Sequence, residues 1–379
     1  MKRIVTALLL LLIPLCAGGE EITQEYTRFE RNRIRDIRLP EGFSIDFFAK
    51  APGARSITPG AEGIYFVGTR DDRVYAVIDD DSDGRADRVR TILTGLTMPN
   101  GVAYRGGDLY VAEVSRIIAV RGVTEQLSEN PGDLDYEVIT GDYPDRKAHG
   151  WKFIAFGPDG LLYVPVGAPC NVCDPEEDIF ASITRLDVED PEIEIIAQGV
   201  RNTVGFDWHP ETGRLWFTDN GRDWLGDNKP PDELNRLSEP GQHFGFPYIH
   251  GKSVVDPEFG DSLSNFNRFT EPVLELGPHV AALGMRFYTR DMFPRKYRNR
   301  IFIAEHGSWN RSEKIGYRIT LVELDGPEEA RYTVFASGWL DQRSGRAWGR
   351  PVDVQVMNDG SLLVSDDAGG YLYRITYRE

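Results

Sequence analysis

Hydrophobic positions along this chain recur in one short phrase, a turn ending in Gly or Asn followed by a run of β-branched, Leu and aromatic residues. It reads Gly63-Ile-Tyr-Phe-Val, Gly107-Asp-Leu-Tyr-Val, Gly160-Leu-Leu-Tyr-Val, Gly213-Arg-Leu-Trp-Phe, Asn299-Arg-Ile-Phe-Ile and Gly360-Ser-Leu-Leu-Val. The turn positions are separated by 44, 53, 53, 86 and 61 residues. Before most of them lies another alternating segment, such as Gly101-Val-Ala-Tyr, Val204-Gly-Phe-Asp-Trp or Val352-Asp-Val-Gln-Val. Strand, Gly-containing turn and strand make a hairpin. Each hairpin has room for two more strands, among them Val74-Tyr-Ala-Val-Ile and Tyr371-Leu-Tyr-Arg-Ile-Thr. Six four-stranded blades closing around a channel give an all-β fold, a six-bladed β-propeller, expected as one domain over residues 20–379. A pair of sandwiches would leave the six equivalents unexplained.

The register of the repeat locates a site. His149 precedes Gly160 by 11 residues, Asn202 precedes Gly213 by 11, and Gly349, next to Arg350, precedes Gly360 by 11. Asn100 stands 7 before Gly107, in a blade with a shorter first hairpin. All precede the innermost strand of a blade, so all are expected at one mouth of the channel. The segments after the second strands return there: Thr218 to Arg222, Ala304 to Gly307 and Ser365 to Asp367. His149, Arg201, Asn202, Gly221, His306 and Arg350 are therefore expected to converge. His209, His243, His250 and His279 share no register and read as structural or exposed.

Charge narrows the partners. The chain of 379 residues carries 43 Lys and Arg against 60 Asp and Glu, a net charge of −17 that repels phosphate backbones and sets nucleic acid aside. With 39 Gly and 23 Pro, tight turns are frequent, as an all-β protein requires. Residues 1–19 read as a signal peptide: Lys2-Arg3, an apolar run from Ile4 to about Ala17, then small residues. That run is too short for a transmembrane segment, and Leu15 before Cys16 is bulky for a lipid-attachment site. A periplasmic or secreted protein is expected. Cys170 and Cys173 then read as a local disulfide staple, since neither a thioredoxin-like setting nor a His after the second Cys is present. No large apolar patch calls for a partner chain, and a monomer is expected.

One acidic stretch has metal-ligand spacing. Asp79, Asp81, Asp83 and Asp87 occupy positions 1, 3, 5 and 9 of a calcium-loop pattern with Gly84 at position 6, while Arg90 replaces the usual Glu at position 12. The alternative is a solvated acidic hairpin. As a metal site it would brace the first blade and take no part in chemistry.

The converging residues also carry a resemblance. His149-Gly-Trp-Lys-Phe, Gln198-Gly-Val-Arg-Asn-Thr-Val-Gly, Asp219-Asn-Gly followed by Asp232-Glu-Leu-Asn, and Gly241-Gln-His-Phe-Gly-Phe-Pro resemble the glucose/sorbosone dehydrogenase family over nearly all of the chain after residue 19. Ala304-Glu-His-Gly-Ser-Trp-Asn-Arg and Ser365-Asp-Asp-Ala-Gly-Gly resemble its sorbosone-dehydrogenase-like branch. The resemblance implies an exported propeller that uses pyrroloquinoline quinone (PQQ) and Ca²⁺ to oxidise a sugar and passes electrons to an external acceptor. It implies His149 as catalytic base, and Arg201, Asn202, Arg350 and Asn100 around PQQ. It implies the main-chain carbonyls of Gly221 and Arg222 as ligands of the calcium beneath PQQ. Glu233 and the carbonyl of Phe244 match a second, structural calcium site. Val352 stands where the glucose enzymes have a second Arg, and the segment Ser308 to Arg311 where they have Lys. Arg311 or Lys314 is expected to substitute. Two other functions suit a six-bladed propeller: a calcium-dependent lactonase using Asp219, Asn220 and Glu305, and a non-catalytic binding module that would not need His149.

Overall fold

The computed structural model describes residues 21–61, 63–130, 132–262, 269–324 and 330–379. The expected signal peptide and Cys16 lie outside the described residues. The chain forms six blades, five of them antiparallel and four-stranded, while the third has four antiparallel strands extended by the short parallel strand Gln242–His243; each recurring phrase becomes the second strand of a blade. In blade one, Ala54–Pro59 is innermost, followed outward by Ile64–Thr69, Val74–Ile78 and Arg88–Leu93. Blades two to five begin with Gly101–Arg105, Ala155–Phe156, Phe206–Trp208 and Ala282–Phe287. Blade six holds Pro351–Val356, Leu362–Asp366 and Tyr371–Tyr377. Its outermost strand is Phe43–Lys50 from the start of the chain, with Phe43 opposite Tyr377. First and last strands therefore close the ring by hydrogen bonding, with the first strand covering the edge of the last.

The reason these residues make blades is visible at the turns. All six phrase positions, Gly63, Gly107, Gly160, Gly213, Asn299 and Gly360, have positive φ, between 58° and 99°. Only Gly adopts that region freely, and Asn is among the few side chains that tolerate it. The strands that follow are buried on both faces, Leu162–Val166, Leu215–Asp219, Ile301–Glu305 and Leu362–Asp366 at every position. They pack in six separate apolar clusters, each filling the space between neighbouring blades. The core is thus a ring. Near the axis the backbones of neighbouring blades approach closely at Gly205, where a Cβ would lie 2.2 Å from the carbonyl oxygen of Leu283 in blade five. Val204, Leu283 and Val352 pack together there, so Val352 serves as an apolar plug of the channel. Among the described residues no helix is long and apolar enough to cross a membrane.

Candidate active site

At one mouth of the channel lies a cavity of about 260 Å³. His149, Arg201, Asn202, Gly221, His306 and Arg350 all line it, the six residues that the repeat register brings together. Three of them, Arg201, Asn202 and Arg350, are held by a device that recurs at the ends of second strands. In blade four the Asp219 carboxylate accepts the backbone N–H groups of Arg201 at 2.8 Å, Asn202 at 2.6 Å and Asn220 at 2.9 Å. In blade six Asp366 accepts the N–H of Arg350 at 2.8 Å and of Gly369 at 2.7 Å. In blade two Glu113 accepts the N–H of Thr97 at 2.6 Å. In these blades a buried acid thus fixes the loop entering its own blade, and Arg201, Asn202 and Arg350 ride on such loops.

His149 sits at φ 48°, a conformation rare for a side chain other than Gly, Asn or Asp. Its Nδ1 lies 2.8 Å from the carbonyl oxygen of Ala168, which can only accept, so Nδ1 carries the proton and the Nε2 lone pair is left for the cavity. Burial, reinforced by the Arg201 charge, lowers its pKa to about 4. The ring is neutral at physiological pH.

The Arg201 guanidinium is oriented from the CxxC loop. Cys170 and Cys173 form a disulfide, and between them Asn171 accepts from Arg201 Nε through its carbonyl at 2.8 Å and from a terminal nitrogen through Oδ1 at 3.0 Å. The staple therefore acts on the site, a role its spacing did not announce. Arg350 donates to the carbonyls of His306 at 3.0 Å and Gly307 at 2.7 Å. His306 Nε2 meets Asp367 at 2.8 Å, and burial pushes its pKa down to about 4.

Two further arginines escaped the sequence reading. Arg55 is buried, bonded to Asp367 at 2.5 Å and to Asn100 at 2.6 Å. Arg70 stacks on the Trp151 ring at 3.9 Å and makes no ion pair or hydrogen bond among the described residues. Both line the cavity. Burial, with mutual repulsion among Arg55, Arg70 and Arg350, lowers the pKa of Arg55 to about 10 and depresses that of Arg70. Arg55 stands 8 residues before Gly63, an offset that matches neither the 11 nor the 7 of the other blades, so the register did not reach it.

Three expectations need correction. Arg311 does not line the cavity: its guanidinium is held by the carbonyl of Asp227, and Lys314 donates to the carbonyl of Gly345 instead. Asn100 is fully buried beneath the cavity, holding Arg55 and the Lys152 carbonyl. His279, expected to be structural or exposed, is buried and lines the cavity, with Nε2 2.8 Å from the carbonyl of Gly226. At the rim two exposed tryptophans, Trp224 and Trp309, meet edge to face at 5.2 Å.

The floor is acidic. Asp232 lines the cavity and accepts from Gly221 at 3.0 Å and Ala282 at 3.1 Å. Burial drives its pKa up to about 7 and raises those of Asp219 and Glu233 as well. Glu233 accepts from Asn235 at 2.9 Å and from Gly251 at 2.6 Å, while the Asn235 Oδ1 is buried with no partner among the described residues. Phe244 packs edge to face on Phe217, and the Arg222 side chain is paired with Asp256 at 2.6 Å.

A family model described as glucose/sorbosone dehydrogenase matches residues 119–374. The chain belongs to the glucose/sorbosone dehydrogenase family. It is 35% identical over 354 residues to an uncharacterized protein of Borreliella burgdorferi, covering 90% of this chain and 91% of the other. Its fold matches the holo PQQ domain of a pyranose dehydrogenase from Coprinopsis cinerea (TM-score 0.73, 17% identity, 90% and 97% of the two chains). It also matches a calcium structure of a Trichoderma reesei carbohydrate-active enzyme of family AA12 (TM-score 0.76, 18% identity, 90% and 97%). Family membership places the chain among the sugar dehydrogenases.

Proposed function

We propose that this protein is an exported PQQ- and calcium-dependent dehydrogenase that oxidises a hydroxyl of an aldose or related sugar and hands electrons to an external acceptor. The observation that carries the reading is the convergence of four guanidiniums, Arg55, Arg70, Arg201 and Arg350, with the free Nε2 of His149 on one cavity. PQQ is a flat tricarboxylate, and crowded, partly desolvated guanidiniums with an indole alongside suit it by charge and shape. Buried acids around Gly221 and the orphaned Asn235 Oδ1 suit hard divalent cations. When bound, the quinone supplies the hydride-accepting carbon and calcium the Lewis acid.

The chain's own residues do the rest. His149 takes the hydroxyl proton at Nε2 while the Ala168 carbonyl holds its tautomer. Arg201, clamped by Asn171, and Arg350, clamped by two carbonyls, present fixed charges. Trp224 and Trp309 offer apolar faces to a sugar ring.

Purified protein supplied with PQQ and Ca²⁺ should reduce an artificial dye when given an aldose, and neither cofactor alone should suffice. A lactonase would hydrolyse lactones with calcium alone, and a binding module would do neither. Absence of PQQ binding at micromolar concentration with calcium present would refute the proposal. Arg70→Ala should weaken PQQ binding about tenfold, the order expected for one charge-assisted contact, with the melting temperature unchanged. Arg311→Ala should leave PQQ affinity as it was. Fluorescence titration with PQQ measures both.

A further inference from the structure

The hairpin joining the third and fourth strands of blade one is remote from the cavity and has no part in the proposed chemistry. Oxygens of Asp79, Asp81 and Asp87 lie within 4.8 Å of one another there. On a protein of net charge −17, three neighbouring acids would by themselves be an ordinary solvated turn. Asp79 sets this one apart. Its side chain is only 6% exposed; Oδ2 accepts the N–H of Gly84 at 3.1 Å, but Oδ1 is buried without a hydrogen-bond partner among the described residues. A buried carboxylate oxygen with no donor is costly, and the negative charges of Asp81, Asp83 and Asp87 add to the cost. A cation between the three carboxylates removes both penalties at once.

The donors are all hard oxygens, which selects calcium over softer metals. Gly84 has φ 88°, a backbone conformation that favours glycine at position 6 of the loop. Arg90, at position 12, turns away to the carbonyls of Leu127 at 2.9 Å and Gly132 at 2.7 Å. Asp83 is not in the converging set; its carboxylate accepts the N–H of Arg85 at 2.8 Å. The bidentate ligand of a full calcium loop is therefore missing and water must complete the shell, which puts the affinity in the weak range of extracellular modules, ~10⁻⁴–10⁻³ M.

We infer that Asp79, Asp81 and Asp87 bind one Ca²⁺ that stiffens the seam where the propeller ring closes. The hairpin touches the closing strand Phe43–Lys50 directly: Arg85 pairs with Asp46 at 2.5 Å and the N–H of Ala86 donates to the carbonyl of Phe48 at 2.8 Å. Order imposed on the hairpin is thereby passed to the strand that joins blade six to the start of the chain.

Equilibrium dialysis of the full chain against ⁴⁵Ca²⁺ up to 10 mM, without PQQ, compares wild type with D81N/D87N. The variant should bind one ion fewer per chain, while calcium ions at the channel or near Glu233 remain in both. The melting-temperature rise on adding 10 mM Ca²⁺ should be smaller in the variant by about 2–4 °C, because an ion bound only by the folded state stabilises it by mass action. Asp81→Asn alone, at an exposed position, repeats the test if the double variant folds poorly. Equal stoichiometry in wild type and variant overturns the inference, whatever the outcome of the dehydrogenase assay.

Discussion

His149→Ala should lower sugar-oxidation turnover by about 10²–10⁴-fold while PQQ still binds, since removing a positioned general base costs that much and leaves the cationic contacts in place. The geometry makes the expectation specific. Nδ1 of His149 is committed to the Ala168 carbonyl, so its Nε2 is the nitrogen available as base, whereas His306 and His279 are bound through Nε2, to Asp367 and to the Gly226 carbonyl. The pH profile gives an independent signature. A base works only when unprotonated, and burial beside Arg201 lowers the pKa of His149 to about 4. Wild-type kcat/KM in the free enzyme should therefore stay level through pH 6.5, where an exposed histidine would already be half protonated, and fall only as the pH drops through about 4. A limb near 6.5 would mean that His149 is not the base. Loss of PQQ binding in His149→Ala would make it a cofactor contact instead.

The fold was legible because a propeller repeats its local chemistry: the positive-φ turn residue, the doubly buried second strand and the polar segment at the channel mouth recur in six copies. Register alone could therefore place His149, Arg201, Asn202, Gly221, His306 and Arg350 at one mouth without any long-range contact being known. What escaped was information that does not repeat. The strand Phe43–Lys50 closes blade six across more than 300 residues, and its pairing with Tyr371–Tyr377 leaves no periodic trace in its own segment. Arg55 and Arg70 lie in the first blade, where no catalytic phrase drew attention to them. Arg311 was assigned from a neighbouring phrase, but its direction is set by the Asp227 carbonyl, a loop-to-loop contact 84 residues away. The disulfide was legible as a staple, yet its effect on Arg201 depends on Asn171, whose partners only the folded loop reveals.

The largest effect on folding is expected at an acid that the channel chemistry does not use. Asp219→Ala leaves three backbone N–H groups, those of Arg201, Asn202 and Asn220, without their acceptor. Each buried donor left unpaired costs ~1–3 kcal/mol, so the variant should lose about 3–5 kcal/mol after partial relaxation, and its melting temperature should fall by about 10 °C. Cofactor retention should fail with it, because two of the three residues whose N–H groups are released, Arg201 and Asn202, are those proposed to hold PQQ. Arg70→Ala separates the two effects: its guanidinium makes no hydrogen bond or ion pair among the described residues, so affinity should fall with stability unchanged. Asp219→Asn should lie between, since an amide keeps one acceptor oxygen but turns its NH₂ toward backbone donors. Thermal denaturation and PQQ titration of the three variants decide the matter. Full stability in Asp219→Ala would show that the loop is held by the blade alone. A fall in stability with undiminished PQQ affinity would show that Arg201 and Asn202 do not depend on the carboxylate for their placement.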